Sequence, residues 1–469
     1  PEFAPGFALL GRCYLELGEW RQAYAQLSKA VGLDPQLTKA QIDLGLFLFR
    51  ANKTQEAEKK AELVLEQDPD NVDARLLLAM IQHREGKSDR AEAGLKKIIS
   101  QHPQLERAYL LLARVRDAAA AEVLHKGLEQ IPKSRALRMR LIEILSAKGQ
   151  IQEADEQFEI LLAQNPEQIA LRQKRIEFLE RTGRVQDAMS KAGRLVDREP
   201  QAAEHRLRLA RIHLRQQDPE QAGMVLEKGI GELDDPFLLQ TALGDLRQMQ
   251  QEFGAAELLY REAVRQARSA DNKANARLRL ARMFLQQGEV DKAAAEVGVL
   301  REEDPGNVLA CAVMGQVYLK KERPGDAIIE FRQVIKERPD RLSAYTALAR
   351  AHFANNEPKN AVQVLSQALE KSPEYVPARE ALAGHFLGQG KWERAVEHLQ
   401  VLAEQHAQKP EYRLALAEVS QKMGQTDAAE EIYRDIIDTH PDFLPVANNL
   451  AYLWADKGMH LDTALELAE

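Results

Sequence analysis

Cysteine is almost absent: Cys13 and Cys311 are the only two in 469 residues. They stand far apart, with neither a CxxC pair nor zinc-ligand spacing. That excludes a disulfide framework and a cysteine zinc site, and both are expected to be small core residues. Basic charge is short as well, with 64 Lys and Arg against 72 Asp and Glu and a net charge of −8. A general nucleic-acid binder needs a basic surface for phosphate, so no nucleic-acid partner is expected. No apolar run approaches the roughly 18 residues of a membrane span. The motifs of common chemistries are missing too. "FLGQGKW" lacks the GxxxxGK[ST] spacing of a phosphate loop, and no HExxH or GxSxG occurs. The 11 histidines are scattered, and His398 and His406 make no metal pair. The expectation is no catalytic residue, no metal and no cofactor: not an enzyme within these residues.

What the chain does contain is a period. By length alone it would hold about three domains. Yet a small residue after an apolar one recurs every 34 positions, at Leu10-Gly11, Leu44-Gly45, Leu78-Ala79 and Leu112-Ala113. Leu141-Ile142 follows only 29 later, then the weak match Arg175-Ile176, then Leu209-Ala210 and Leu243-Gly244 at 34. Leu280-Ala281 lies 37 further on, and Met314-Gly315, Leu348-Ala349, Leu382-Ala383, Leu416-Ala417 and Leu450-Ala451 return to 34. A second anchor is an Ala thirteen residues after that Leu, as at Ala23, Ala57, Ala91, Ala154 and Ala188. A third is a closing Pro, as at Pro35, Pro69, Pro103, Pro132, Pro166 and Pro200. The count is thirteen repeats and most of a fourteenth.

Each unit reads as two amphipathic helices, with apolar residues three and four apart. Gly or Ala at the first anchor lets the two axes approach; a larger side chain there would cost roughly 1–3 kcal/mol. The turn carries Gly in "LGEW", "KGQI", "TGRV" and "QGEV", where a left-handed backbone is needed. In "QDPEQA", "ERPGDA" and "NEPKNA" the second helix starts at Pro, which the first helical position tolerates. The closing Pro ends the unit. A lone hairpin cannot bury its apolar stripe, so neighbours must stack into a ribbon.

These three anchors in phase resemble the tetratricopeptide repeat, whose period is 34. The fold class implied is all-α, a right-handed α-solenoid of about 13 to 14 tandem units. It is expected over residues 4–469 as a single solenoid, with 1–3 read as a cloning remnant. Irregular repeats are expected at 106–134 and 237–273. In the first, five residues are missing, the turn Gly is lost, and Asp117 is a candidate cap for the second helix. In the second, three extra residues predict an extended helix or a loose loop.

The resemblance also implies that the first helix of each hairpin lines the concave side. There positions 2, 5, 9 and 12 of each unit form a stripe apart from the packing positions. In units 2 and 3 the stripe holds Ile42, Leu46 and Phe49, then Leu76 and Met80. They read either as a pocket for an apolar partner segment or as side chains covered by their neighbours. Further on, Arg208, Arg211 and Arg215, then Arg279, Arg282 and Arg350, line or border it. Glu143, Glu177 and Asp245 stand between them. The Arg row either grips carboxylates or phosphate, or closes an internal ion-pair network. The Lys-Asn-Asn-Lys-Arg carboxylate clamp of chaperone adaptors is absent, since units 1 to 3 carry Ala8, Arg12, Asp43, Asp73 and Leu77 there. The asparagine ladder of sugar-transferase members is absent as well. Trp20 and Trp392 are expected to pack against the next unit.

The function implied is a non-catalytic scaffold holding segments of partner proteins, similar to large bacterial members of the family. Several of those serve in the cell envelope, which slightly favours that location over the cytoplasm. A second reading is a regulatory arm of an enzyme or export channel whose functional domain lies outside these residues. Leu465 and Leu467 predict an open apolar end, covered by more chain or by self-association.

Overall fold

The computed structural model describes residues 3–468, with side chains through Leu465. Pro1, Glu2 and Glu469 therefore fall outside the described residues, as does the side chain of Leu467. Within them, 28 α-helices and one short 3-10 turn follow one another in fourteen consecutive pairs, and no strand occurs. The architecture is an all-α solenoid of helical hairpins. The helices group into two compact units, Pro1–Asp218 and Pro219–Glu469.

The anchors do what their chemistry requires. Ala23, Ala57, Ala91, Ala154 and Ala188 in the first unit are wholly inaccessible, as are Ala256, Ala293, Ala327, Ala361 and Ala395 in the second. At Gly45 an added Cβ would lie 2.6 Å from Leu77 Cδ2, and at Gly315 2.7 Å from the Phe331 ring. Only a glycine lets the helices meet there without displacing a neighbour. Outside the hairpin at 106–134 the turn is left-handed, at Gly18 (φ 75°) and Gly183 (φ 78°), but also at Gln251 (φ 64°) and Glu322 (φ 55°). The hydrogen bonds from Glu19 N to Tyr14 O and from Lys87 N to Gln82 O close these turns at 2.9 and 2.8 Å. That is the Schellman arrangement. Second helices begin at Pro219, Pro324 and Pro358, as the sequence implies.

The closing prolines have a partner that the anchors did not disclose. The residue six positions later turns back and donates to the proline carbonyl. Gln41 reaches Pro35 O at 2.8 Å, Arg75 reaches Pro69 O at 2.9 Å, Tyr109 reaches Pro103 O at 3.0 Å and Arg138 reaches Pro132 O at 2.9 Å. In the second unit Tyr345 and Arg379 do the same to Pro339 and Pro373 at 3.1 and 2.7 Å. The carbonyl at the bend has no helical partner, and this donor supplies one.

The irregular stretches resolve locally. The hairpin at 106–134 keeps both helices but shortens them to Glu106–Val115 and Ala120–Gln130, of 10 and 11 residues. Asp117 does not cap the second helix through its side chain. It starts the 3-10 turn Asp117–Ala119, and its carbonyl accepts from Ala120 N. The extra residues near 270 extend a helix: Ala270–Gln287 has 18 residues, with Ser269 Oγ capping Asn272 N at 3.1 Å. Arg175 explains its weak anchor match. It is buried at an apolar position, donating to both oxygens of Asp155 at 2.6 and 3.0 Å and to Glu159 at 2.7 Å.

Two surface residues depart from expectation. Cys13 is exposed while Cys311 is buried, because the third turn of Ala4–Glu16 presents Cys13 to solvent. Trp20 is 51% exposed, whereas Trp392 packs against the buried cluster of Ala383, Leu399 and Val419. Leu465 is also exposed.

Candidate binding cavities on the first-helix face

In the first unit the helices Ala4–Glu16, Thr38–Arg50, Val72–Arg84 and Glu106–Val115 surround a cavity of about 380 Å3. Ile42, Leu46, Leu76 and Met80 all line it. Ile42 and Leu76 are buried, each at 6% exposure, and Leu46 and Met80 are half-buried. Phe49 does not join them. Its ring lies beneath the Arg84 guanidinium, 3.5 Å from carbon to ring centroid, and its carbonyl accepts from Arg84. Two of the three arginines around this cavity are answered from within, while Arg114, exposed in the same lining, has no ion pair among the described residues. Arg12 donates to both oxygens of Asp43, at 2.7 and 3.0 Å, and Arg107 donates to Asp73 at 2.7 Å. The Asp43 hydrogen bond, against the pull of desolvation, holds the Arg12 guanidinium above its ordinary pKa.

The arginines at the end of this unit divide. Arg215 pairs with Glu180 at 2.6 Å, and Arg208 contacts Glu180 at 3.5 Å and the Gln173 carbonyl at 3.2 Å. Arg211 is exposed, with no ion pair among the described residues. Glu143 pairs with Arg140 in its own helix at 2.8 Å.

The second unit is built differently. Two cavities, of about 570 and 610 Å3, lie along the first helices Ala270–Gln287, Val308–Lys320, Leu342–Ala354 and Val376–Gly388. Gln316 and Arg350 line both, so the two are contiguous. The larger charge count belongs to Arg282 and Lys320 in one cavity, Arg341 in the other, and Arg350 in both. Among the described residues, no Asp or Glu lines either cavity, and none of these four cations has an ion-pair partner. Arg282 remains open to solvent. Desolvation among the neighbouring helices, then repulsion by Arg341 and Arg279, nevertheless pushes its pKa down, opposed by Asp245. Arg279 does not line the cavities. It donates to Asp245 at 3.0 Å and to Asn275. The floor is apolar: Val334, Ala344, Ala347 and Phe353. The His385 ring lies against that of Phe353, tilted by 35° with centroids 4.8 Å apart, and burial, then Lys391 and Arg394, lowers its pKa.

Of the expected site residues, the structure thus gathers Ile42, Leu46, Leu76 and Met80 in one cavity and Arg282 with Arg350 in another. Arg341, Lys320, Gln316 and His385 were not singled out from the sequence. Arg341 sits just before the first helix of its hairpin, outside the stripe that was searched.

The chemistry available here is recognition. Cys311, the buried thiol, is pushed up to about 11, by burial first and Glu330 second, so it is protonated at neutral pH. No metal-binding cluster of His, Cys, Asp or Glu occurs among the described residues, and no described helix is long and apolar enough to cross a membrane.

Family models of the tetratricopeptide repeat match residues 9–71, 179–232, 241–308 and 313–376. The chain belongs to the tetratricopeptide-repeat family. Further models of this repeat match 48–115 and 352–419, and 411–442. These tetratricopeptide matches leave out 116–178, where the shortened hairpin and buried Arg175 depart from the pattern. Members of the family generally mediate protein–protein contacts. No curated protein sequence matches the chain. Among solved structures, Naa15/Naa10 bound to HypK-THB aligns at 13% identity and a TM-score of 0.42, covering 100% of this chain and 88% of that one. Yeast Tom70 aligns at 14% and 0.43, covering 92% and 96%. The Cut9 and Hcn1 hetero-tetramer of APC/C aligns at 16% and 0.39, covering 89% and 90%.

Proposed function

We propose that the chain is a non-catalytic scaffold that holds segments of partner polypeptides on its first-helix face. The observation that carries this reading is the placement of the cavities: in each unit the first helices supply most of the lining, over apolar floors. Cavities of this size accept one or two side chains of a docked segment, with the surrounding polar groups fixing its direction. The closed charge pairs of the first unit leave its apolar floor as the attractive surface. Tetratricopeptide membership supports the same class of partner.

Selection of a random displayed-peptide library against the full chain tests the proposal. Peptides should emerge whose synthetic forms bind. Leu46→Glu with Met80→Glu should abolish one set, and Ala347→Phe, which fills the second unit's floor, another. If no peptide survives selection, the scaffold reading fails.

A further inference from the structure

A net-negative chain does not leave cations unanswered by accident of composition. With 72 acidic residues against 64 basic ones, each Lys or Arg on a crowded face has carboxylates available. Elsewhere on the first helices several are used, at Arg12–Asp43, Arg107–Asp73, Arg215–Glu180 and Arg279–Asp245, while Arg114 and Arg211 stand singly. Along the two contiguous cavities of the second unit they are not. Arg282, Lys320, Arg341 and Arg350 stand there without a carboxylate, and the lining between them is neutral or apolar.

Resting on the peptide-binding role above, we propose that this paired cavity takes an acidic segment of a partner polypeptide, one that inserts an apolar side chain between flanking carboxylates. The two halves of the surface answer the two halves of that ligand. Val334, Ala344, Ala347 and Phe353 form a floor that gains from burying an aliphatic or aromatic side chain. The guanidiniums of Arg341 and Arg350, in the same lining, present forked donors matched to carboxylates. Gln316, shared by both cavities, and Ser343 and Thr346 beside Arg341 offer neutral groups to the segment's backbone. Repulsion among the cations is relieved when the ligand brings negative charge, so the site favours an acidic occupant over a neutral one of equal shape. A small cationic cluster on an acidic chain, above an apolar floor, suits such a peptide better than a nucleic-acid backbone, which needs a longer basic track.

The test uses the peptides whose binding Ala347→Phe removes. They should be rich in Asp and Glu around one Leu, Ile or aromatic residue. Replacing Arg341→Gln together with Arg350→Gln should weaken them by about tenfold or more. Arg341→Lys with Arg350→Lys, which keeps the charge and loses the fork, should weaken them less. Circular dichroism of each variant verifies that the helices persist. Neutral or basic peptides at this cavity would overturn the inference. So would acidic peptides that bind the double Gln variant unchanged, or a single-stranded oligonucleotide that displaces them at physiological salt. Peptides confined to the Leu46 and Met80 cavity would also overturn it while leaving the scaffold role standing. Failure to recover any peptide would end both.

Discussion

The first unit's cavity and the second unit's paired cavity both lie along the first helices of their hairpins, yet they treat charge differently. In the first, Arg12 and Arg107 are held by Asp43 and Asp73, and of its lining cations only Arg114 stands without a carboxylate beside the apolar floor. In the second, four cations line the two contiguous cavities, Arg341 and Arg350 beside the apolar floor, and no acid lines either cavity. Helix packing is the same in both, so the difference lies in residues that packing does not constrain. The backbone repeats; the stripe that faces outward is free to vary from unit to unit. A scaffold of this kind can therefore carry distinct binding surfaces at separate places along one uniform frame.

The comparison breaks most visibly where the first unit buries its charges. Asp155→Ala leaves Arg175, whose side chain is 7% exposed, with Glu159 alone. The expected loss is about 3 kcal/mol of stability, read from denaturant unfolding. An unchanged midpoint would mean that the pair contributes nothing and that charge closure in this unit is incidental.

A second change makes the paired cavity resemble the first. Gln316→Glu puts a carboxylate in the lining shared by Arg350. Acidic peptides selected at this site should bind about tenfold more weakly, while unfolding shifts little. Binding that persists undiminished would show that the open cations do not attract the ligand.

The smallest effect is in pH. His385 and His398 both sit below their ordinary value of 6.5, chiefly through burial. As pH falls through 6.5 the unfolded chain takes up protons that the folded chain still refuses, so stability declines on acidification until the folded values are reached. Melting between about pH 7.5 and about pH 5.5 should therefore drop, and segment-resolved amide exchange should place the loss near Val376–Gln405. His398→Gln should flatten the slope. Equal loss in the first unit would assign the effect elsewhere.

The hairpins were legible because packing imposes them. Gly45 and Gly315 cannot be larger, and the buried alanines leave no room for alternatives. The proline carbonyl bonds were legible in principle, since a long donor recurs six residues after most closing prolines, but a single-repeat pattern does not call attention to it. Charge pairing was harder. It runs between repeats, so that Arg107 meets Asp73 and Arg279 meets Asp245, each 34 apart in sequence. Reading the arginines at that interval separates them: Arg350 has Gln316 before it and Gly384 after it, neither able to pair. Reading them along one helix, as a row, mixes closed and open cations together. Arg341 escaped because it precedes its helix, and Cys13 and Trp20 because small or aromatic residues near a hairpin's edge follow no burial rule of their own.

The donor that reaches back to most closing prolines belongs to the same short stretch of chain as the bend it secures. A duplicated hairpin thus arrives with its own fastening, and a deleted one takes its fastening away. Growth or loss of the array by whole modules needs no compensating change in the neighbours, so its length can evolve independently of the surfaces that individual modules display.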